Sequence, residues 1–131
     1  METIAKALET RQEYNETNDC AVISISQVAG RTYREVLEES YKLGRKKGRG
    51  MPWVVVEKLC KKYNLIKVDV RKKYNGMRPR AWWFLKEHAH IKQPIIIDVR
   101  KHFFVAQEGK EVWGMWKDKA LVRNYYIKGE A

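Results

Sequence analysis

The apolar residues of this 131-residue chain change their spacing near Asn64. Before Asn64 they recur three and four positions apart, which is the period of a helix with one buried face. After Asn64 they form short runs rich in valine, isoleucine and aromatic residues, and turn residues separate these runs as they separate β-strands. A set of helices followed by a set of strands predicts an α+β fold with a mostly antiparallel sheet.

The segment 20–29, CAVISISQVA, is predicted to be a central helix because it is apolar on most of its faces. Asn18 or Asp19 stands where a helix N-cap belongs, and Gly30 stands where a left-handed residue ends a helix. Cys20 therefore occupies the first turn of this helix. A thiol in that position faces the positive end of the helix dipole, which favours the nucleophilic thiolate.

Two further helices are predicted before Asn64. Thr32 begins a capping box, TYRE, and the apolar spacing after it predicts a helix that ends near Gly44. Pro52 suits the first turn of the next helix, and Cys60 falls on its inner face, where we expect a buried thiol without a chemical role. Residues 1–16 either form a loosely held N-terminal arm or contain a short polar helix.

The second half of the chain is predicted to contain a sheet and one short helix. The helix covers residues 81–87, and the basic segment before it is interpreted as a loop. The predicted strands cover residues 65–70, 93–99, 102–107, 111–116 and 121–127. Neither an internal repeat nor a linker rich in serine or proline divides the sequence, so we expect a single domain over residues 1–131.

The chain carries a net charge of +11, which is large for its length. Such a charge suggests contact with nucleic acid or with an acidic protein, although a solvated surface of lysines and arginines is the alternative explanation. The glycine-rich segment GRKKGRG carries the densest part of this charge, and its four candidate surface cations are Arg45, Lys46, Lys47 and Arg49. The segment lacks the residue order of a phosphate-binding P-loop.

Other composition features narrow the class of protein. The longest apolar runs are too short to span a membrane, and the N-terminus lacks the apolar core of a signal peptide, so we expect a cytoplasmic protein without membrane contact. The two cysteines are expected to remain thiols in a reducing compartment. No CxxC or Cys/His ligand spacing is present, so the sequence predicts no metal site.

His102 is the histidine best placed to act as a base for Cys20. It opens a predicted strand, and a strand-start histidine facing a helix-start thiol is the geometry that a Cys–His pair needs. In such a coupled pair we expect the pKa of the cysteine to fall and the pKa of the histidine to rise. The alternative from spacing alone is a hydrogen-bonded histidine at a sheet edge. His88 and His90 are predicted to be surface residues.

Four motifs together resemble small papain-like cysteine hydrolases of tailed phages and bacteria: NDCAV, GRTYREV, GRGMP and IIIDVRKHFFVAQEGKEVWG. The resemblance runs over residues 17–127. It implies a papain-like fold, Cys20 as nucleophile, and His102 as general base and later general acid. It also implies a protein or peptide substrate cleaved at a peptide, isopeptide or amide bond, without metal or organic cofactor. The compartment would be the host cytoplasm if a phage encodes the chain.

The sequence departs from the family pattern at two positions. Tyr14 stands where papain-like enzymes usually carry an oxyanion-hole glutamine, and the side chains that might replace it are Gln12, Asn15 and Asn18. Trp113 stands where the family carries the residue that orients the histidine, and Asp118 is the nearest carboxylate beyond it. We expect Trp113 or Trp116 to shield the His102 ring. These departures keep open the alternative of a catalytically degenerate, basic binding module that contacts nucleic acid or an acidic host protein.

Overall fold

The computed structural model describes residues 2–130 and confirms the α+β class, with helices first and an open antiparallel sheet of five strands afterwards. The chain divides at Leu65/Ile66 into two compact units. Over its described residues, 2–65, the first unit contains four helices: α1 (Ile4–Glu13), α2 (Cys20–Ala29), α3 (Tyr33–Lys42) and α4 (Trp53–Lys62). The second unit contains the sheet and two short helices.

Helix α2 is the centre of the first unit, because every one of its residues after Cys20 is buried. Its end agrees with the prediction, since Gly30 adopts the left-handed conformation at φ 70°. The capping box before α3 is also confirmed, since the Thr32 hydroxyl accepts a hydrogen bond from the Glu35 backbone N–H at 3.1 Å. Cys60 lies on the inner face of α4 and is only 6% exposed, as predicted.

The N-terminal segment forms a packed helix, which is one of the two structures that the sequence allowed. Ala7 and Thr10 of α1 are buried. The Glu2 carboxylate accepts a hydrogen bond from the Tyr33 backbone N–H at 2.7 Å, and its carbonyl accepts one from the Gln27 amide at 3.2 Å. These contacts join the segment before α1 to α2 and α3.

The second unit is built on a sheet whose strands lie in the order β1-β5-β2-β3-β4. The strands are β1 (Leu65–Asp69), β2 (Ile95–Val99), β3 (His102–Gln107), β4 (Lys110–Trp113) and β5 (Val122–Lys128), and β1 begins at the last residue of the first unit. Strands β2 and β3 form an antiparallel hairpin in which Val99 pairs with His102. The tight turn of this hairpin places His102 at the start of β3.

Helices α5 (Val70–Lys73) and α6 (Ala81–Glu87) complete the second unit. The predicted position of α6 is confirmed, whereas α5 replaces the end of a predicted strand and the start of a predicted loop. The cause is Asp69, whose carboxylate accepts hydrogen bonds from the Arg71 and Lys72 backbone N–H groups and caps a new helical turn. The second unit has its own buried core, formed by Val70, Ala81, Phe84, Leu85, Ile95, Ile97, Val99, Phe104, Ala106, Val122 and Tyr125.

None of the helices formed by residues 2–130 has both the length and the apolar character needed to cross a membrane.

Candidate active site

Cys20 is the first residue of α2 and its side chain is half-buried. Asp19 occupies the N-cap position, but its carboxylate makes no capping hydrogen bond. It accepts a hydrogen bond from the Tyr33 hydroxyl at 2.6 Å instead and faces the Nε of Arg11 at 3.1 Å. The predicted N-cap position is confirmed at Asp19, but its carboxylate does not make the predicted capping hydrogen bond, because Tyr33 and Arg11 engage it. Because Asp19 makes no capping bond, the start of α2 presents backbone N–H groups that favour negative charge.

Glu16, four residues before Cys20, forms a buried ion pair with Arg45. The Arg45 guanidinium donates two hydrogen bonds to the Glu16 carboxylate, at 2.9 Å and 3.1 Å, and both side chains are 0% exposed. The Tyr41 hydroxyl donates to the same carboxylate. Burial alone would raise the pKa of Glu16, but hydrogen bonds from Arg45, Tyr41 and the Gly48 and Thr17 backbone N–H groups outweigh burial and lower the pKa to about 2.

This ion pair corrects one prediction about the basic segment. Arg45 is 2% exposed and belongs to the buried network, whereas the sequence placed it on the basic surface. The physical reason is that only a buried cation can balance the desolvated Glu16 carboxylate. The other three cations of the segment, Lys46, Lys47 and Arg49, are exposed as predicted.

The basic segment 44–50 is fastened to the residues that lead into α2. The Gly48 backbone N–H donates to the Glu16 carboxylate at 2.9 Å, and the Gly48 carbonyl accepts from the Asn18 amide at 2.9 Å. The Arg45 guanidinium also donates to the Thr17 carbonyl at 3.1 Å. Because these contacts reach Asn18, the basic segment lies against the chain two residues before Cys20.

The three oxyanion-hole candidates lie in the first unit with Cys20. Asn18 adopts a left-handed conformation at φ 53°, and one of its amide N–H groups is engaged by Gly48. A second amide N–H remains for another acceptor. Asn15 is also left-handed and exposed, and Gln12 is exposed on α1. Their role in an oxyanion hole remains a prediction.

His102 lies in the second unit, where it is 6% exposed. Its Nε2 lies 2.5 Å from the Gly114 carbonyl oxygen. A carbonyl can only accept, so Nε2 must carry the hydrogen and the neutral ring must present its lone pair at Nδ1. Nδ1 is buried and has no hydrogen-bond partner within residues 2–130. This arrangement leaves a sheltered basic nitrogen on a ring whose orientation is held by the backbone.

The Gly114 carbonyl orients the His102 ring, a role for which the sequence predicts a side chain. Neither Trp113 nor Asp118 bonds the ring, because Gly114 at φ 90° turns the chain so that its own carbonyl reaches Nε2. Trp116 stacks on the imidazole with ring centroids 3.5 Å apart and planes 20° apart, which matches the expected shielding. A glycine in the predicted strand EVWGMW was the one signal that a turn interrupts it.

Burial lowers the pKa of His102, and its hydrogen bond to Gly114 offsets part of this effect. The direction is opposite to the rise expected for an imidazolium paired with a thiolate. The ring is therefore neutral near pH 7, and neutral imidazole is the form that accepts a proton.

His88 is buried rather than on the surface, which contradicts the sequence prediction. Its Nδ1 donates to the Phe84 carbonyl at 2.8 Å, its Nε2 lies 3.1 Å from the Lys73 Nζ, and its ring stacks on Phe84. Burial lowers its pKa, which the bond to Phe84 partly offsets. The reason for the error is that His88 is the C-cap residue of α6 and its ring packs on Phe84, which is a buried residue of that helix. His90 is exposed as predicted.

Within the part of the chain that the structure describes, no cluster of three or more histidine, cysteine, aspartate or glutamate side chains could hold a metal ion. Comparison of the chain with protein-family models, with curated proteins and with solved structures gives no match.

Proposed function

We propose that the chain is a papain-like thiol hydrolase that cleaves a peptide, isopeptide or amide bond, with Cys20 as nucleophile and His102 as its base. The observation that carries the proposal is the His102 ring, whose Nε2 is held by Gly114 while its buried Nδ1 lacks a partner among the described residues. A buried acceptor left without a partner is unfavourable. In the proposed reaction, this nitrogen accepts the proton of the Cys20 thiol.

The position of Cys20 supports its proposed role as the nucleophile. Its thiol stands at the first residue of a helix whose N-cap residue, Asp19, makes no capping hydrogen bond, and positive partial charge at this end stabilises a thiolate. The same end of α2 suits the negative oxygen that forms when a thiolate adds to a carbonyl. Sequence resemblance to papain-like hydrolases and the order of helices before sheet agree with this proposal.

In the proposed reaction, His102 acts first as a general base and then as a general acid. Nδ1 of His102 takes the proton of the Cys20 thiol, and the sulfur adds to the substrate carbonyl. The protonated ring then returns this proton to the leaving amine as the carbon–nitrogen bond breaks. Water, deprotonated by the same nitrogen, attacks the thioester and releases the carboxylic acid and the thiol.

A second candidate function is a basic binding module, and the observation that favours it is the net charge of +11 with exposed Lys46, Lys47 and Arg49. Such a module would bind nucleic acid or an acidic protein through these cations and would need neither Cys20 nor His102.

Acylation by p-nitrophenyl acetate separates these two functions. We expect a burst of p-nitrophenolate and an acetyl group on Cys20, found by peptide mass mapping. Cys20→Ser should abolish the burst, and His102→Gln should slow it at least about tenfold. His90→Gln is the matched control, because His90 is exposed and its loss should leave the burst unchanged. Equal acetylation of Cys20 in His102→Gln and His90→Gln would overturn the hydrolase proposal.

A further inference from the structure

The basic segment 44–50, which we call the clamped loop, presents three exposed cations. It is hydrogen-bonded to residues 16–18, which lead into Cys20. Its contacts are the buried Arg45–Glu16 pair and the reciprocal bonds that join Gly48 to Glu16 and Asn18. Exposed loops rich in lysine are usually mobile and make few fixed contacts with the rest of the protein. This loop is held at its start and at its middle, so its charges keep their place.

The two carboxylates in the segment 16–19 do not neutralise the exposed cations of the clamped loop, because each carboxylate is engaged by its own partner. Glu16 is bonded to Arg45 inside the loop, and Asp19 faces Arg11. Among residues 2–130, no carboxylate forms an ion pair with Lys46, Lys47 or Arg49, so these three cations form a positive surface. Their field extends over the residues that lead to Cys20, since attraction between exposed charges persists over a Debye length of about 10 Å.

We propose that Lys46, Lys47 and Arg49 form a recognition surface for the acidic side chains of a polypeptide substrate of Cys20. This inference rests on the proposed function, because it assigns the cations to the substrate of that thiol. A cluster of fixed cations binds carboxylates at little additional ordering cost and raises the local concentration of an acidic substrate.

An acidic polypeptide fits the clamped loop better than a nucleic acid does. Residues 44–50 contain no aromatic side chain on which a base could stack. Three cations would neutralise only about three phosphates, which gives weak and strongly salt-dependent nucleic-acid binding. Thiol acyl transfer, in contrast, requires the carbonyl group of an amide or ester, which a polypeptide supplies.

The first test compares a charged and a neutral alkylating reagent at Cys20. Iodoacetate and iodoacetamide attack the same thiolate, so the ratio of their rates cancels the thiolate fraction and reports the local potential. Peptide mapping separates Cys20 from Cys60 in the unmodified chain. At low salt, the triple variant Lys46→Gln, Lys47→Gln and Arg49→Gln should lower the iodoacetate-to-iodoacetamide ratio about three-fold to ten-fold.

The matched control removes three exposed cations elsewhere in the first unit. Lys58→Gln, Lys61→Gln and Lys62→Gln lie on α4 and change the net charge by the same amount. This variant should keep the native ratio. Equal ratios in the native chain and in the loop variant would overturn the proposal, and so would an equal fall in both variants, which would reflect net charge alone.

The second test identifies the class of anion. Poly-glutamate should protect Cys20 from iodoacetamide in the native chain and fail to protect it in the loop variant. Protection by an oligodeoxynucleotide of equal charge, without protection by poly-glutamate, would overturn the proposal in favour of nucleic-acid binding. Neither test requires turnover. Failure of the hydrolase proposal appears as acylation independent of His102, whereas failure of this inference appears as a reagent ratio independent of the clamped loop.

Discussion

Replacement of Arg45 by methionine is expected to destabilise the protein far more than loss of any exposed cation of the clamped loop. The change removes two hydrogen bonds to Glu16, at 2.9 Å and 3.1 Å, and one to the Thr17 carbonyl at 3.1 Å. Both charged side chains are 0% exposed, so the carboxylate keeps its desolvation cost and loses its counter-charge. Breaking such a pair costs about 3–5 kcal/mol, a large share of the about 5–15 kcal/mol that stabilise a domain.

The assay is urea unfolding at pH 7, followed by far-UV circular dichroism. Lys46→Met is the matched control, because it removes an exposed cation from the neighbouring position and should cost less than about 0.5 kcal/mol. The double variant Glu16→Gln with Arg45→Met should be more stable than the sum of the single losses predicts, with a coupling energy above about 2 kcal/mol.

Acid titration provides a further check on the same pair. The pKa of Glu16 falls from its ordinary 4.5 to about 2 on folding, so its contribution is complete above pH 4.5 and is lost as the pH falls towards 2. The stability difference between the native chain and Glu16→Gln should narrow over that range. Equal unfolding midpoints for Arg45→Met and Lys46→Met, or strictly additive single losses, would refute the account of the buried pair.

Two further predictions concern the second unit. Because burial lowers the pKa of His88, the unfolded chain takes up its proton first, and stability should fall as the pH drops below about 6.5, by at most about 1.4 kcal/mol per pH unit for this group; His88→Gln should flatten part of this slope in urea titrations between pH 7 and 5, and an unchanged slope would contradict it. Gly109→Ala should cost at least about 2 kcal/mol, because its φ is 76° and a Cβ would lie 2.8 Å from the Leu85 carbonyl and 2.9 Å from the Ala89 Cβ. Gly76→Ala is the control for backbone strain alone, since its φ is 85° with nothing within 4 Å, and equal losses in the two variants would contradict the predicted clash.

Local signals were sufficient to place the helices of the first unit. Helix α2 begins at Cys20 and stops before Gly30 as predicted, because the apolar run and a left-handed glycine act on the residues beside them. The same holds for the capping box at Thr32 and for the hairpin strand that opens at His102. In each case the residues that determine the structure are close in sequence.

The errors occurred where distant residues determine the outcome. Arg45 was placed at the surface because its neighbours are glycines and lysines, but its partner Glu16 lies 29 positions earlier and buries it. His88 is predicted to be at the surface because it follows a short helix among polar residues, but Lys73, 15 positions earlier, and Tyr125 of β5 lie against its ring. The group that orients His102 is a backbone carbonyl, and carbonyls carry no residue-type signal. The signal in the sequence is Gly114, which indicates a turn within the predicted strand 111–116.

The pH dependence of Cys20 alkylation by iodoacetamide tests the pairing of Cys20 with His102 most directly. Peptide mapping would follow Cys20 between pH 5 and 9 in the native chain and in His102→Ala, with buried Cys60 as a slowly reacting internal reference. If neutral His102 accepts the thiol proton, alkylation in the native chain falls only as the ring becomes protonated below about pH 6.5, and His102→Ala lowers the rate at pH 7 at least about tenfold. An ordinary thiol profile that is the same in both proteins would contradict the pairing and favour the basic binding module.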